Sequence, residues 1–122
     1  MLPKSHNQAC QEFLTALLRL REHLSASSLD AGSLQEKLRQ LQQFFQERII
    51  SLPDDGLEGS AASRWQSIQT EMHRTLRLLG TDILFLRSSR QATTTEQRLG
   101  TIGDRLSQLI GYCQAIVSPD ND

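Results

Sequence analysis

The chain has 122 residues, of which 38% are apolar, and its 13 basic and 14 acidic side chains give a formal net charge of −1. This length fits one domain with one core, and the near-neutral charge supplies no global field that would attract nucleic acid or a membrane surface. Leucine dominates the apolar residues and there is a single valine, which disfavours a β-sheet protein.

The first two predicted helices cover residues 5–27 and 33–52. In the first, apolar residues recur at intervals of three or four, the spacing of one helix face: Cys10, Phe13, Leu17, Leu20 and Leu24. A capping box of Ser33 and Glu36 is expected to begin the second helix. Pro53 is expected to close it, because the residue before a proline resists the α conformation.

An acidic loop at residues 53–59 separates these helices from a third, predicted over residues 60–91. Its apolar stripe runs from Trp65 to Leu86. At about 30 residues, this helix would be about 45 Å long. It is therefore the longest element that the sequence predicts.

The fourth predicted helix covers residues 93–117 and is followed by a frayed tail at residues 118–122. A second capping box, of Thr93 and Glu96, is expected to open it. Its apolar stripe has intervals of 3, 4, 3, 4 and 3: Leu99, Ile102, Leu106, Leu109, Cys113 and Ile116.

Short connections make consecutive helices antiparallel neighbours. The sequence therefore predicts an all-α, up-down-up-down antiparallel four-helix bundle with a long third helix, forming a single domain over residues 1–122. In this topology Cys10 and Cys113 should be buried in one layer with Trp65 and Ile49. We interpret the two thiols as reduced core side chains; a redox switch is the alternative.

Catalytic and metal-binding patterns are not evident in the sequence. His6, His23 and His73 stand far apart and lack the spacing of metal ligands, and no phosphate loop or nucleophile elbow is found. We expect no catalytic residue, no cofactor and no metal. No apolar run reaches the length of a membrane span and no secretory pattern is present, so with only two cysteines we expect a cytoplasmic protein.

The fourth helix carries a strip of small residues: Gly100, Gly103, Ser107 and Gly111. Each glycine costs about 1 kcal/mol relative to alanine inside a helix. We expect this cost to be offset by close approach of another helix, in the same chain or in a partner.

A second unusual feature lies on the third helix. Leu78 and Phe85 are seven residues apart, so they share one line, nearly opposite the apolar stripe. Arg74, Arg77 and Asp82 flank them. Because aromatic residues and arginine are enriched at binding hot spots, these five residues are predicted to form a partner-binding surface.

Six segments carry a family resemblance: residues 38–45 (LRQLQQFF), 69–72 (QTEM), 76–79 (LRLL), 90–93 (RQAT), 104–106 (DRL) and 112–116 (YCQAI). Over about residues 29–117 the chain resembles the heterocyst frequency control protein PatD family of cyanobacteria. The resemblance implies a non-enzymatic cytoplasmic regulator of heterocyst differentiation and cell division, associated with the division protein FtsZ and its assembly. It transfers no catalytic residue.

The leading hypothesis is therefore a regulatory protein that acts by protein–protein interaction, with FtsZ as the partner that the resemblance implies and a homodimer as a further expectation. One alternative is a nucleic-acid-binding bundle that uses arginines of the third and fourth helices: Arg74, Arg77, Arg87, Arg90, Arg98 and Arg105. The neutral net charge opposes it. Another alternative is a phosphotransfer bundle that uses His73, although the residues after His73 do not have the usual spacing.

Overall fold

The computed structural model describes residues 3–25, 30–53 and 57–117, with only the backbone at Ser25. Within these ranges there is no strand, and the elements are helices α1 (Lys4–Ser25), α2 (Ala31–Phe44), α3 (Gly59–Ser88) and α4 (Ala92–Val117), with a π-helical segment, Phe45–Ile50, directly after α2. The all-α four-helix bundle is confirmed. The predictions for residues 26–27, for 54–56 of the acidic loop and for the tail at 118–122 fall outside the described residues.

Hydrogen bonds near the helix ends show how the helices alternate in direction. Asn7, early in α1, donates from Nδ2 to the Ile116 carbonyl late in α4 at 3.4 Å. Gln69 of α3 donates from Nε2 to the Ile49 carbonyl at 3.1 Å. Arg64, early in α3, donates from Nη2 to the Ala115 carbonyl of α4 at 3.4 Å. The starts of α1 and α3 therefore lie at the same end of the bundle as the ends of α4 and of the π-helical segment.

The apolar stripes meet in one continuous core. α3 is unbroken through Gly80. The largest fully buried side chains come from every helix: Phe13, Leu17, Leu34, Phe45, Ile49, Trp65, Met72, Leu76, Leu79, Ile83, Ile102 and Leu106. Burial of these apolar surfaces is the main force that holds the helices together.

The start of α2 differs from the predicted capping box. The N-cap is Asp30, whose Oδ1 accepts a hydrogen bond from the Ser33 backbone N–H at 2.7 Å. Glu36 instead forms an ion pair with Arg39 at 2.6 Å. Since aspartate caps a helix as well as serine does, α2 begins two residues earlier than predicted.

The capping box predicted for α4 is also wrong. The Thr95 backbone N–H donates to the Gln91 carbonyl at 3.0 Å, so helical hydrogen bonding is already established ahead of Thr93. Thr93 therefore lies inside the first turn of α4 and is not its N-cap.

The π-helical segment was not predicted. Leu41, Phe45 and Ile49 are spaced by four residues, and all three are buried. In an α-helix this spacing drifts away from one face, whereas the wider i→i+5 turn brings residues four apart closer to alignment. The segment thus keeps Phe45 and Ile49 in the core until the chain turns toward Pro53.

Among the described helices, none combines the length and the apolar character that crossing a membrane requires.

Candidate protein-binding surface

The outward side of α3 carries exposed apolar side chains near its C-terminal end. Phe85 is 47% exposed and Leu84 is 56% exposed, while Leu78, two turns earlier, is half-buried. The predicted members Leu78 and Phe85 thus lie away from the fully buried stripe. Leu84 was missed, although its 100° rotation from the core residue Ile83 places it outside the buried stripe and could have identified it.

Arginine side chains accompany these apolar residues. Arg74 and Arg77 are exposed on the same helix, and Arg74 forms an ion pair with Glu71 at 3.4 Å. Arg98 of α4 places its guanidinium carbon 4.7 Å from the centre of the Phe85 ring, a cation–π contact. Arg98 thus holds one side of the ring that a partner would meet. We call Arg74, Arg77, Leu78, Leu84 and Phe85 the α3 surface.

Asp82 does not belong to this surface. Its side chain is only 9% exposed, and its Oδ2 accepts a hydrogen bond from Arg105 Nε at 2.9 Å. Asp82 lies 60° from Leu78–Phe85 on the side that faces α4, so it pairs with Arg105 in the α3/α4 contact. Of the five predicted residues, Asp82 is therefore the one that the structure places inside the bundle.

The α3 surface borders an open groove between α2 and α3, with a volume of about 790 Å³. Leu38 of α2 and Leu78 and Leu84 of α3 supply its apolar lining, and Arg39 and Arg77 lie on its two sides. Gly80 lies at its base, where an added Cβ would come within 3.4 Å of Leu38 Cδ2. That distance is an ordinary van der Waals contact, so the glycine leaves a small gap over Leu38 at the base of the groove.

The other end of α3 is closed. Trp65 is fully buried, and its ring centre lies 4.7 Å from that of His6 in an edge-to-face contact. His6 Nε2 donates to the Pro53 carbonyl at 2.9 Å, which fixes the proton on Nε2 if the imidazole is neutral. We call His6, Cys10, Trp65 and Cys113 the end layer.

Both cysteines of the end layer are free and buried, as predicted. Desolvation raises the pKa of Cys10 to about 12. Desolvation also raises the pKa of Cys113, and the neighbouring Cys10 adds a smaller increase. The raised pKa values keep both groups in the thiol form near neutral pH. Because the thiolate is the reactive form, the two cysteines behave as apolar side chains of the core.

Among the described residues, no other helix packs closely on the glycines of the small-residue strip on α4. An added Cβ at Gly100 or Gly111 would have no atom within 4 Å, and at Gly103 it would meet only Leu24 Cδ2, at 4.0 Å. Close packing within the described part of the chain is therefore wrong as an explanation. These helical positions remain open to solvent because the neighbouring apolar stripe, and not the strip, faces α1 and α3.

Most residues on which the phosphotransfer and nucleic-acid alternatives depend already contact other side chains of the protein. His73 is exposed and its ring stacks on Phe45, with 6.1 Å between ring centres. No group of three potential metal ligands occurs among the described residues. Four of the six arginines proposed for nucleic acid have protein contacts: Arg74 with Glu71, Arg87 with Gln35, Arg98 with Phe85 and Arg105 with Asp82.

Comparison with known proteins gave no matching family model, no matching curated protein and no matching solved structure. The functional interpretation accordingly depends on the surfaces described above.

Proposed function

We propose that this chain is a non-enzymatic, cytoplasmic regulatory protein that binds another protein through the α3 surface. The observation that carries the proposal is the exposure of Leu84 and Phe85 beside the open groove. Of the three large apolar residues exposed in the described part of the chain, two lie here and the third is Ile50. Adjacent exposed apolar residues with arginines are typical of interaction sites.

The partner that we propose is FtsZ, and the effect is a change in its assembly. This choice is supported by the resemblance of the helix segments to the PatD family. The structure supports a binding role in a more general way, since Arg98 restrains the Phe85 ring before a partner arrives. A side chain that is already ordered loses less conformational entropy on binding.

The experiment compares two variants of the chain for binding to purified FtsZ. In Leu78→Ser/Phe85→Ser the apolar centre of the α3 surface is removed. In the control, Ile50→Ser, an apolar side chain of similar exposure is removed from the π-helical segment. Binding is measured by microscale thermophoresis, and FtsZ assembly by light scattering and by sedimentation of polymers.

We expect the double variant to bind at least about ten-fold more weakly, as for the loss of hot-spot residues, while Ile50→Ser binds as the parent chain does. Absence of binding by the parent chain would reject FtsZ as the partner. Equal weakening by both variants would reject the α3 surface. Sedimentation velocity of the free chain tests the proposed homodimer in the same series.

A further inference from the structure

We infer that the α2/α3 groove binds an acidic amphipathic helix of a partner protein. This inference rests on the proposed function, because it names the kind of segment that the α3 surface and its groove would recognise. It goes further in specifying the shape and charge of that segment, which can be tested without knowing the partner's identity.

The length of the groove suits a short helix. On α2 its lining extends from Gly32 to Gln42, a rise of about 15 Å, or nearly three helical turns. Helices that dock in grooves use apolar anchors at positions i, i+3, i+4 and i+7, which span about 10 Å along the axis. One such set of anchors therefore fits along the apolar lining.

The base of the groove is formed in part by a residue without a side chain. Gly80 leaves its base without a side chain, directly opposite Leu38 of α2. Leu84, one turn after Gly80 on α3, projects with 56% of its surface exposed. An apolar anchor placed over Gly80 would contact leucines from both helices, so it would lose solvent on more than one side.

The charges around the groove favour an acidic occupant. Its charged lining residues are Glu36, Arg39 and Arg77, and Glu36 is engaged by Arg39 at 2.6 Å. Arg87 extends the basic rim, where its Nη1 donates to Gln35 Oε1. Since Arg39 is already paired with Glu36, carboxylates on a docked helix would meet Arg77 in the lining and Arg87 at the rim, and arginine can bind a carboxylate with two parallel hydrogen bonds.

A second copy of the chain is a poorer occupant on electrostatic grounds. In a two-fold contact both copies use the same surface, so a residue i that contacts residue j of the other copy is matched by a residue j that contacts residue i. A two-fold contact through the groove would bring together two copies of the same lining, whose acidic side chain, Glu36, is already paired with Arg39, so Arg77 of each copy would meet no free carboxylate there and like charges would oppose the contact.

α2 also has space on its opposite side. A smaller cavity of about 280 Å³ lies between α1 and α2, with Leu20, Leu41 and Phe44 among its lining residues. Because α2 is less closely packed than α4, which lies against both α1 and α3, it is the helix that can adjust to a ligand with the smallest loss of core contacts.

The test uses two fluorescein-labelled peptides of about 15 residues, long enough for several helical turns. Both carry leucine at i, i+3, i+4, i+7 and i+11, with glutamate in one peptide and lysine in the other at the flanking positions. Fluorescence anisotropy measures their binding to the full chain. We expect the glutamate peptide to bind at least ten-fold more tightly, with a difference that shrinks as salt is raised.

Two pairs of variants locate the binding site. Leu84→Ser removes an anchor of the groove and Arg77→Glu inverts one wall, and each should weaken binding of the glutamate peptide at least ten-fold. Their matched controls, Ile50→Ser and Arg90→Glu, alter exposed residues outside the groove lining and should leave binding unchanged. Amide shifts in nuclear magnetic resonance spectra should be largest at Gly80 and Thr81.

Equal binding of the two peptides, or binding that Leu84→Ser leaves unchanged, overturns the inference. A dimer of the free chain that Leu84→Ser dissociates also overturns it, in favour of a second copy as the occupant. If the glutamate peptide fails while FtsZ binding persists and depends on Phe85, only the groove assignment is lost. If the peptide binds and FtsZ does not, only the choice of partner is lost.

Discussion

The end layer and the α2/α3 groove are both built on α3, but their side chains meet different surroundings. Trp65 is fully buried, with His6 of α1 packed edge-to-face on its ring, and even the indole Nε1 is buried without a hydrogen-bond partner among the described residues. Beside Gly80, α2 lies against one side of α3, and Leu84 remains exposed. The closed region supplies stability, and the open region is available for binding.

The largest expected effect distinguishes the two regions directly. Trp65→Ala should lower the free energy of unfolding by about 3–5 kcal/mol, because it empties the centre of the end layer. Leu84→Ala, in the groove, should change it by no more than about 0.5 kcal/mol. Urea denaturation followed by circular dichroism measures both. Similar losses in the two variants would show that Leu84 is part of the core and not of an open surface.

The boundary between the regions is marked by the Asp82–Arg105 pair. Asp82→Ala removes a carboxylate that is 9% exposed and leaves Arg105, 27% exposed, without it. We expect a loss of about 1–3 kcal/mol, as for a hydrogen bond to a partly buried charge. Glu71→Ala is the control, because it breaks an exposed pair with Arg74 on the same helix and should cost less than about 0.5 kcal/mol.

Equal costs for Asp82→Ala and Glu71→Ala in urea denaturation would contradict this placement of Asp82 and return it to the exposed surface.

The sequence predicted the helices and the core from the regular apolar spacing, and this spacing also separated Phe85 from the buried stripe. The predictions differ from the structure where a backbone or side-chain group had more than one possible hydrogen-bonding partner. Ser33 had the correct residue three positions later for a capping box, but Asp30 caps the same turn. The spacing along α3 alone placed Asp82 near Leu78 and Phe85, but the residue that it pairs with, Arg105, belongs to α4. The π-helical turn and the groove depend on how helices pack against one another, and the apolar spacing within one helix does not specify that packing.

The exposed strip on α4 gives a smaller effect of opposite sign. Gly100→Ala and Gly111→Ala should each raise the free energy of unfolding by about 1 kcal/mol. Alanine reduces the conformational entropy of the unfolded chain, and its Cβ meets no atom within 4 Å in the folded protein. Gly59→Ala is the control. Its φ of +47° is unfavourable for alanine, so this change should destabilise the protein.

Thermal unfolding of the three single variants measures these changes. A loss of stability in Gly100→Ala would mean that the strip is covered by another molecule in solution, and a concentration-dependent midpoint would identify that molecule as a second copy.

The smallest expected effect concerns the start of α2, the helix that forms one wall of the groove. The hydrogen bond from the Ser33 backbone N–H holds the pKa of Asp30 below its ordinary value of 3.8. A carboxylate with a lowered pKa in the folded state stabilises that state above its unfolded pKa, and this contribution is lost as the pH falls through the folded pKa.

Asp30→Asn keeps a side chain that caps well but does not titrate. The difference in unfolding free energy between the parent chain and this variant should therefore be constant near neutral pH and should move against the parent chain below about pH 4. Urea denaturation of both proteins from about pH 7 to about pH 2 measures this difference, and other carboxylates cancel because both chains contain them. A difference that does not change with pH would show that Asp30 does not cap α2 in solution, and the wall of the groove would then begin at a later residue.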